Sequence, residues 1–277
     1  MKDMKRTATI ILNRNLPSVV DQLYESLNKH NNDNNDIYVV EAGSDEDKLS
    51  AHCTWWANWN EVKDDGLRAP RGFNYGLSQL LKEDKYHQYD SFFLLTNDTE
   101  FDDVPVLELL REELAKHERV GILSPCSRRW GEKILLANME TKYFWYVHNT
   151  AYLIRREFID SIRELDEPDY MNFLYDGSNF RGCFTETELI AKGYANDWAT
   201  AITTKVWAEE NESYLRDKAD LIKTESFERN LDEYLEEGER WIRKKYGFNS
   251  RWSMQMYAKF WYERFFEYYP ELSRYRI

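Results

Sequence analysis

"SFFLLTNDTEF", residues 91–101, decides how this chain is read. An apolar run fit for a strand buried on both faces stops abruptly at Asn97, Asp98, Thr99 and Glu100. One reading is a turn, or a cap for a helix over 104–117. The other is that the strand delivers Asp98 to a metal ion and a phosphate. Mg²⁺ and Mn²⁺ bind through one or two carboxylates and take their remaining oxygens from substrate phosphates and water.

Working outward, the same pattern recurs. "TATIIL" (7–12) reads as a short buried strand ending at "NRNLP", and 17–29 places Val20, Leu23 and Leu27 at helical spacing behind Pro17. "IYVVEAGSDED" (37–47) is again an apolar strand followed by acids and a glycine. A helix is expected from "NYGLSQLLKED" (74–84), another over "VPVLELLREELAKH" (104–117), and a strand at "VGILSPC" (120–126). Strands alternating with helices imply an α/β fold with a mixed, mostly parallel sheet flanked by helices. Such sheets gather ligands at the carboxyl ends of their strands, which puts Asn13, Glu41, Ser44 and Asp98 on one rim.

From 133 to 154 the segments ("KILLANME", "KYFWYVHNTAYLI") lengthen and suggest an antiparallel section, with His148 a packed core residue. "RREFIDSIREL" and "TETELIAKGY" read as helices. The chain divides near residue 208 into a part over 1–208 and a helical C-terminal extension over 209–277. The extension's aromatics lie on most sides of a helical wheel, which favours burial against the rest of the chain or a second subunit over membrane docking.

Composition narrows the function. The 277 residues carry a net charge of −13, which opposes a broad grip on nucleic acid or an anionic membrane but allows a local basic pocket. Cys53, Cys126 and Cys183 lack a Cys-x-x-Cys spacing and read as reduced thiols of a cytoplasmic protein. No signal-like segment and no membrane-spanning run is present, so membrane contact would be peripheral. Aromatic residues make up 16% of the chain; those of "CTWWANWNEV" (53–62) and "YFWYV" are expected in the core, with sugar stacking the alternative. The chain contains no Gly-x-Gly-x-x-Gly, P-loop, Gly-x-Ser-x-Gly or His-Glu-x-x-His motif. Carboxylates remain as the chemistry-bearing groups.

"TIILNRN", "IYVVEAGSDED", "RGFNYGLSQLL", "FFLLTNDTEF", "NTAYLIRREFI" and "TETELIAKGY" occur in the order and rough spacing of glycosyltransferase family 2. Over about residues 7–205 the chain resembles that family, of the GT-A fold, and its rhamnosyltransferase-like branch. The resemblance implies a nucleotide-sugar-binding catalytic domain over 1–208. It implies that Asn13, Arg14, Glu41, Gly43, Ser44, Arg71, Asn74, Gly76 and Asn97 bind the nucleotide sugar. Thr96, Asn97 and Asp98 fall on the family's Asp-x-Asp motif, of which Asp98 alone survives as the metal ligand for Mg²⁺ or Mn²⁺. "TETEL" takes the place of the family's catalytic acid motif, with Glu186 the base and Glu188 the alternative. Two helical positions put these two about 200° apart, so both cannot face one cleft. A plainer role also stays open, in which both acids simply favour the dipole at the start of their helix.

The implied activity is transfer of a hexose or deoxyhexose from a UDP-, GDP- or dTDP-linked donor to a glycan or lipid-linked acceptor, with inversion, in surface polysaccharide or lipopolysaccharide synthesis. It would occur in the cytoplasm or at the inner membrane face, with a homodimer open. Alternatives are a non-catalytic GT-A-like glycan- or partner-binding protein, a nucleotidyltransferase, and a sugar transferase acting on modified DNA bases. The nucleotidyltransferase wants a Gly-rich basic loop, and "NRNLPS" is not one; the acidic charge weighs against the DNA enzyme.

Overall fold

The structure, a computed structural model, describes residues 6–30, 34–129, 140–147, 151–164, 167–211, 213–214 and 226–277. The expected strand over 133–139 and His148 lie outside these. The first strands are parallel: β1 (Thr7–Asn13) lies between β2 (Asn35–Ala42) and β4 (Ser91–Thr96), and β3 (Cys53–Ala57) pairs with β2. All seven residues of β1 are buried, which is why its sequence shows no alternation. The order continues through β8 (Ala151–Arg155), β6 (Val120–Cys126) and β9 (Ala199–Glu210) to β5 (Thr99–Phe101). β8 runs antiparallel to both β4 and β6, and the long β9 runs parallel to β6. β9 also takes β5 and β7 (Thr141–Tyr143) antiparallel, so the sheet is mixed, as expected.

Helices flank the sheet: α1 (Pro17–Lys29), the short α2 (Asn60–Asp65), α3 (Arg68–Lys82), α4 (Val106–Leu114), α5 (Arg156–Ile162) and α6 (Thr185–Ala195). α3 starts six residues before the expected Asn74, at Arg68. Pro70 and Gly72 look like breakers in sequence, but Pro70 lies in the first turn, where its missing N–H costs nothing. Gly76 is a close-approach residue: a Cβ there would lie 2.9 Å from Ile10 Cγ2 of β1.

The C-terminal region forms α7 (Phe227–Tyr246) and α8 (Arg251–Tyr268), capped by Ser226 and Ser250, with Gly247 left-handed between them. Tyr262, Phe265 and Phe266 of α8 belong to the same apolar core as the sheet. Tyr194 of α6 meets Tyr262 edge-on at 5.5 Å and Phe265 at 5.4 Å. α7 builds a second cluster, in which Trp241 and Ile242 pack with Cys183, Phe184 and Met254. Among the described residues no helix is long and apolar enough to cross a membrane.

Candidate functional site

Parallel register brings the ends of β1, β2 and β4 to one edge, Asn13 opposite Glu41 and Leu12 opposite Thr96. The Asn13 amide donates to both Glu41 oxygens, at 3.1 and 2.9 Å, and its own carbonyl accepts from Asn97 Nδ2 at 2.6 Å. Ser44 Oγ and the Ser50 N–H complete the Glu41 carboxylate. Asn15 N donates to Ser44 Oγ at 3.0 Å, and the Asn15 side chain exchanges hydrogen bonds with Asp45. Gly43 turns the chain here with φ +89°, and a Cβ would collide with the Val62 carbonyl oxygen. Asn13, Glu41, Gly43 and Ser44, all buried, and the half-buried Asn97 thus form one hydrogen-bonded rim.

Asp98 lies in the turn between β4 and β5. It does not cap α4, whose N-cap is Pro105. Asn97 N bonds Leu12 O at 3.1 Å, and Asn211 N bonds Asp98 O at 2.9 Å. The buried Asp98 is therefore pinned between β1 and the end of β9. Asn211, whose amide also reaches Glu100 at 2.6 Å, carries no motif that sequence reading could have found. Glu209 accepts from Ser127 Oγ and Arg128 N, so it braces a loop. Among the described residues no group of three His, Cys, Asp or Glu side chains is arranged to hold a metal. A lone buried carboxylate such as that of Asp98 would suit a hard ion whose shell is completed by phosphate and water, and would not suit a protein-caged metal.

Arg14 is anchored by the Lys63 and Asp64 carbonyls, and desolvation, with the neighbouring Arg68, lowers it to about 10. Arg71 Nε donates to Gly177 O at 2.7 Å, and its guanidinium lies 4.7 Å from the Phe180 ring centre, with Arg68 at 5.4 Å. No carboxylate pairs with Arg71 among the described residues. In an acidic chain, this is a local concentration of cations at the α3 N-terminus.

Asn74 is fully buried and committed to the loop before α6. Its Oδ1 accepts from Leu174 N and Tyr175 N, and its Nδ2 donates to Tyr175 O and Tyr170 O. Any effect of Asn74 on a ligand is transmitted by this loop. The loop returns against α3, with Gly182 on Pro70, and ends in Phe184 at φ +73°. A left-handed aromatic residue costs about 1–3 kcal/mol, held here by its packing under α7.

Glu186 and Glu188 then diverge, as their spacing requires. Glu188 is buried, 2.7 Å from Lys245 Nζ and hydrogen-bonded by the Tyr246 hydroxyl. Glu186 stays partly exposed, and no side chain pairs with it among the described residues. Desolvation pushes its carboxyl up to about 7, offset only by its own N–H. Neither acid is a cap residue; that position is Phe184, with no side-chain cap bond.

The tryptophans mostly pack. Trp55 stacks on Tyr38 at 4.8 Å and donates to Glu83, Trp56 donates to Ser44 O, and Trp59 meets Tyr75 and Tyr170.

No protein-family model matches the chain, and no curated protein matches it in sequence. Solved structures do match in fold. GalNAc-T7, solved with UDP, GalNAc and Mn²⁺, superposes with TM-score 0.55 at 12% identity, over 99% of this chain and 59% of its own. A mannosyltransferase from Pyrobaculum calidifontis, solved with GDP-Man and Mn²⁺, gives TM-score 0.49 at 11% identity, over 73% of this chain and 55% of its own. Glucosyl-3-phosphoglycerate synthase from Mycobacterium tuberculosis gives 0.47 at 12%, over 76% and 72%. The chain thus spans little more than half the length of the first two. The fold is that of the GT-A glycosyltransferases.

Proposed function

We propose that the chain is a nucleotide-sugar-dependent glycosyltransferase. The observation that carries this reading is the uncompensated Glu186 carboxylate, held at a helix start in a GT-A fold whose strand ends form a polar rim. A base with a pKa near neutrality is matched to removing a proton at physiological pH. On this reading the acceptor oxygen bonds to C1 of the donor sugar as the C1–O bond to the diphosphate breaks. The acceptor proton passes to Glu186, and the electron pair leaves with the diphosphate. Attack opposite the leaving group inverts C1.

Asn13, Glu41, Gly43, Ser44 and Asn97 would shape the nucleotide side, and Arg14 and Arg71 would meet phosphate charge. Gly76 and Asn74 support that side by seating α3 and its loop. Asp98 would hold Mg²⁺ or Mn²⁺, which would supply charge neutralisation of the diphosphate. Glu188, tied to α7, would position the helix that carries Glu186. Placement in the glycosyltransferase 2 family, a UDP-, GDP- or dTDP-linked hexosyl or deoxyhexosyl donor, a lipid-linked or glycan acceptor in polysaccharide synthesis, and a cytoplasmic or inner-membrane setting extend the same reading. So does a division at residue 208.

A thermal-shift panel of UDP, GDP and dTDP and their sugars, with and without Mn²⁺, tests it. Metal-dependent stabilisation by one nucleotide class is expected. Silence across the panel would favour a binding protein without donor chemistry, and a shift with nucleoside triphosphate plus sugar phosphate would favour nucleotidyl transfer.

A further inference from the structure

Three guanidinium groups surround the half-buried ring of Phe180, in the loop before α6: Arg71 at 4.7 Å, Arg68 at 5.4 Å and Arg181 at 5.7 Å. Guanidinium groups sit well on aromatic faces, but three together crowd like charges unless anions offset them. For Arg181 the offset comes from α7, where Glu237 meets it at 2.8 Å and Glu233 bonds it as well. For Arg71 no carboxylate does this among the described residues. Its hydrogen bond there runs from Nε to the Gly177 carbonyl at 2.7 Å, and its two Nη groups meet no protein acceptor. The acid next to Gly177, Asp176, is turned instead to α7, with Lys245 Nζ 2.6 Å away and Trp241 donating at 3.1 Å.

The seat of Arg71 is built in. A Cβ on Gly177 would lie 3.2 Å from Arg71 Cγ and 2.8 Å from the Met171 carbonyl oxygen, so glycine lets the arginine lie across the loop. Arg71 is only partly buried, so a group from solvent can reach it. Donor and acceptor could each bring the anion. Arg14, at the end of β1, stands on the donor rim, and a metal on Asp98 would share the diphosphate charge there. Arg71 is tied through Gly177 and Phe180 to the loop over 170–184, which runs directly into α6 and Glu186. That connection favours the acceptor.

We propose that Arg71, seated on Phe180 and Gly177, is an anion subsite for the acceptor, which carries a phosphate or carboxylate besides the hydroxyl that Glu186 activates. The inference rests on the glycosyl-transfer reading of this site. The charge met by Arg71 is then the acceptor's, and that met by Arg14 the donor's. A guanidinium offers both oxyanions a fork of N–H donors, where lysine offers a point charge. Arg71 thus determines acceptor specificity.

The test titrates the full chain, with UDP or GDP and Mn²⁺ present, at pH 8, and reads saturation by NMR. The probes are glucose 6-phosphate, glucuronate and methyl β-glucopyranoside. Both charged probes are expected to bind about tenfold or more tightly than the neutral one. Arg71→Gln should erase that preference and leave nucleoside diphosphate binding unchanged, and Arg71→Lys should keep part of it. Phe180→Leu, which removes the platform and keeps the charge, should weaken the charged probes alone, and it decides the matter if Arg71→Gln does not fold. No preference for the charged probes, or a preference that survives Arg71→Gln or Phe180→Leu, would overturn the proposal. So would an equal loss of nucleoside diphosphate binding in Arg71→Gln, which would give Arg71 to the donor. Nucleoside diphosphate binding by the wild type is read separately: its absence would defeat the sugar-transfer reading, while the probe comparison alone decides the subsite.

Discussion

The rim around Glu41 and the start of α6 at Glu186 are built on opposite principles. At the rim every oxygen of Glu41 is met by Asn13, Ser44 or Ser50, and Asn13 is met in turn by Asn97. At the start of α6 Glu186 has only its own N–H, and in the loop before it the Tyr175 hydroxyl has no partner among the described residues. The first arrangement is complete without a ligand and lends stability. The second carries unmet polar groups whose cost is offset elsewhere, as functional sites commonly do. Activity and stability should therefore separate between the two.

The largest separation is expected at Glu186. Glu186→Gln should lower turnover by about 10² to 10⁴, with donor binding kept and the Tm equal or higher. Near-wild-type turnover would remove Glu186 from the chemistry. Glu41→Ala should do the reverse to stability. It leaves the Asn13 amide, Ser44 and the Ser50 N–H unmet, for a loss of about 3 kcal/mol or more. In calorimetry that is a fall in Tm of roughly 6–12 °C. An unchanged Tm would mean that the rim does not hold the strand ends together.

Smaller effects sharpen the contrast. Lys245→Met leaves Glu188 buried with Tyr246 alone and should cost about 1–3 kcal/mol in denaturant unfolding. Donor binding should be untouched if α7 serves the start of α6 rather than the rim. Asp98→Asn should weaken nucleoside diphosphate binding about tenfold when Mn²⁺ is present and little in chelator. Equal loss in both would make Asp98 purely structural.

The smallest effect is on the pH dependence of stability. Glu186 titrates higher folded than unfolded, so the folded state binds the extra proton. The stability it contributes is full below its ordinary value of 4.5 and is lost as pH rises through about 7. Asp176 is opposite in sign. Against desolvation, Lys245, Ser178 and Trp241 hold it well below 3.8, so its contribution is present above that value and lost on acidification. Urea unfolding of Glu186→Gln should show a shallower decline between pH 5 and 8 than the wild type. Parallel curves would contradict the desolvated carboxylate.

The parallel half of the sheet was legible because strands buried on both faces show unbroken β-branched and aromatic runs, and because each run stopped in polar residues. That also exposed the rim. The start of α3 was not legible, since Pro70 and Gly72 are loop signals until β1 is known to lie beneath them. The short β3 and β5 carry too few residues for a period. The two glutamates of "TETEL" could be separated by helical geometry, but which of them stays unpaired depended on Lys245 and Tyr246, more than fifty positions later. The orphan Tyr175 hydroxyl has no sequence signal, because orphanhood belongs to the folded surroundings. Phe184 in left-handed backbone is likewise invisible in a sequence, where glycine would be the expected sign.

The most direct test is nucleoside diphosphate release from UDP-, GDP- and dTDP-sugars, followed from pH 5 to 9 for the wild type and Glu186→Gln. One donor class should be consumed at a rate that rises through a midpoint near 7, and the variant should lose that rise together with at least 99% of the rate. Consumption of no donor, or the same profile in both proteins, would contradict the assignment of Glu186 as the base.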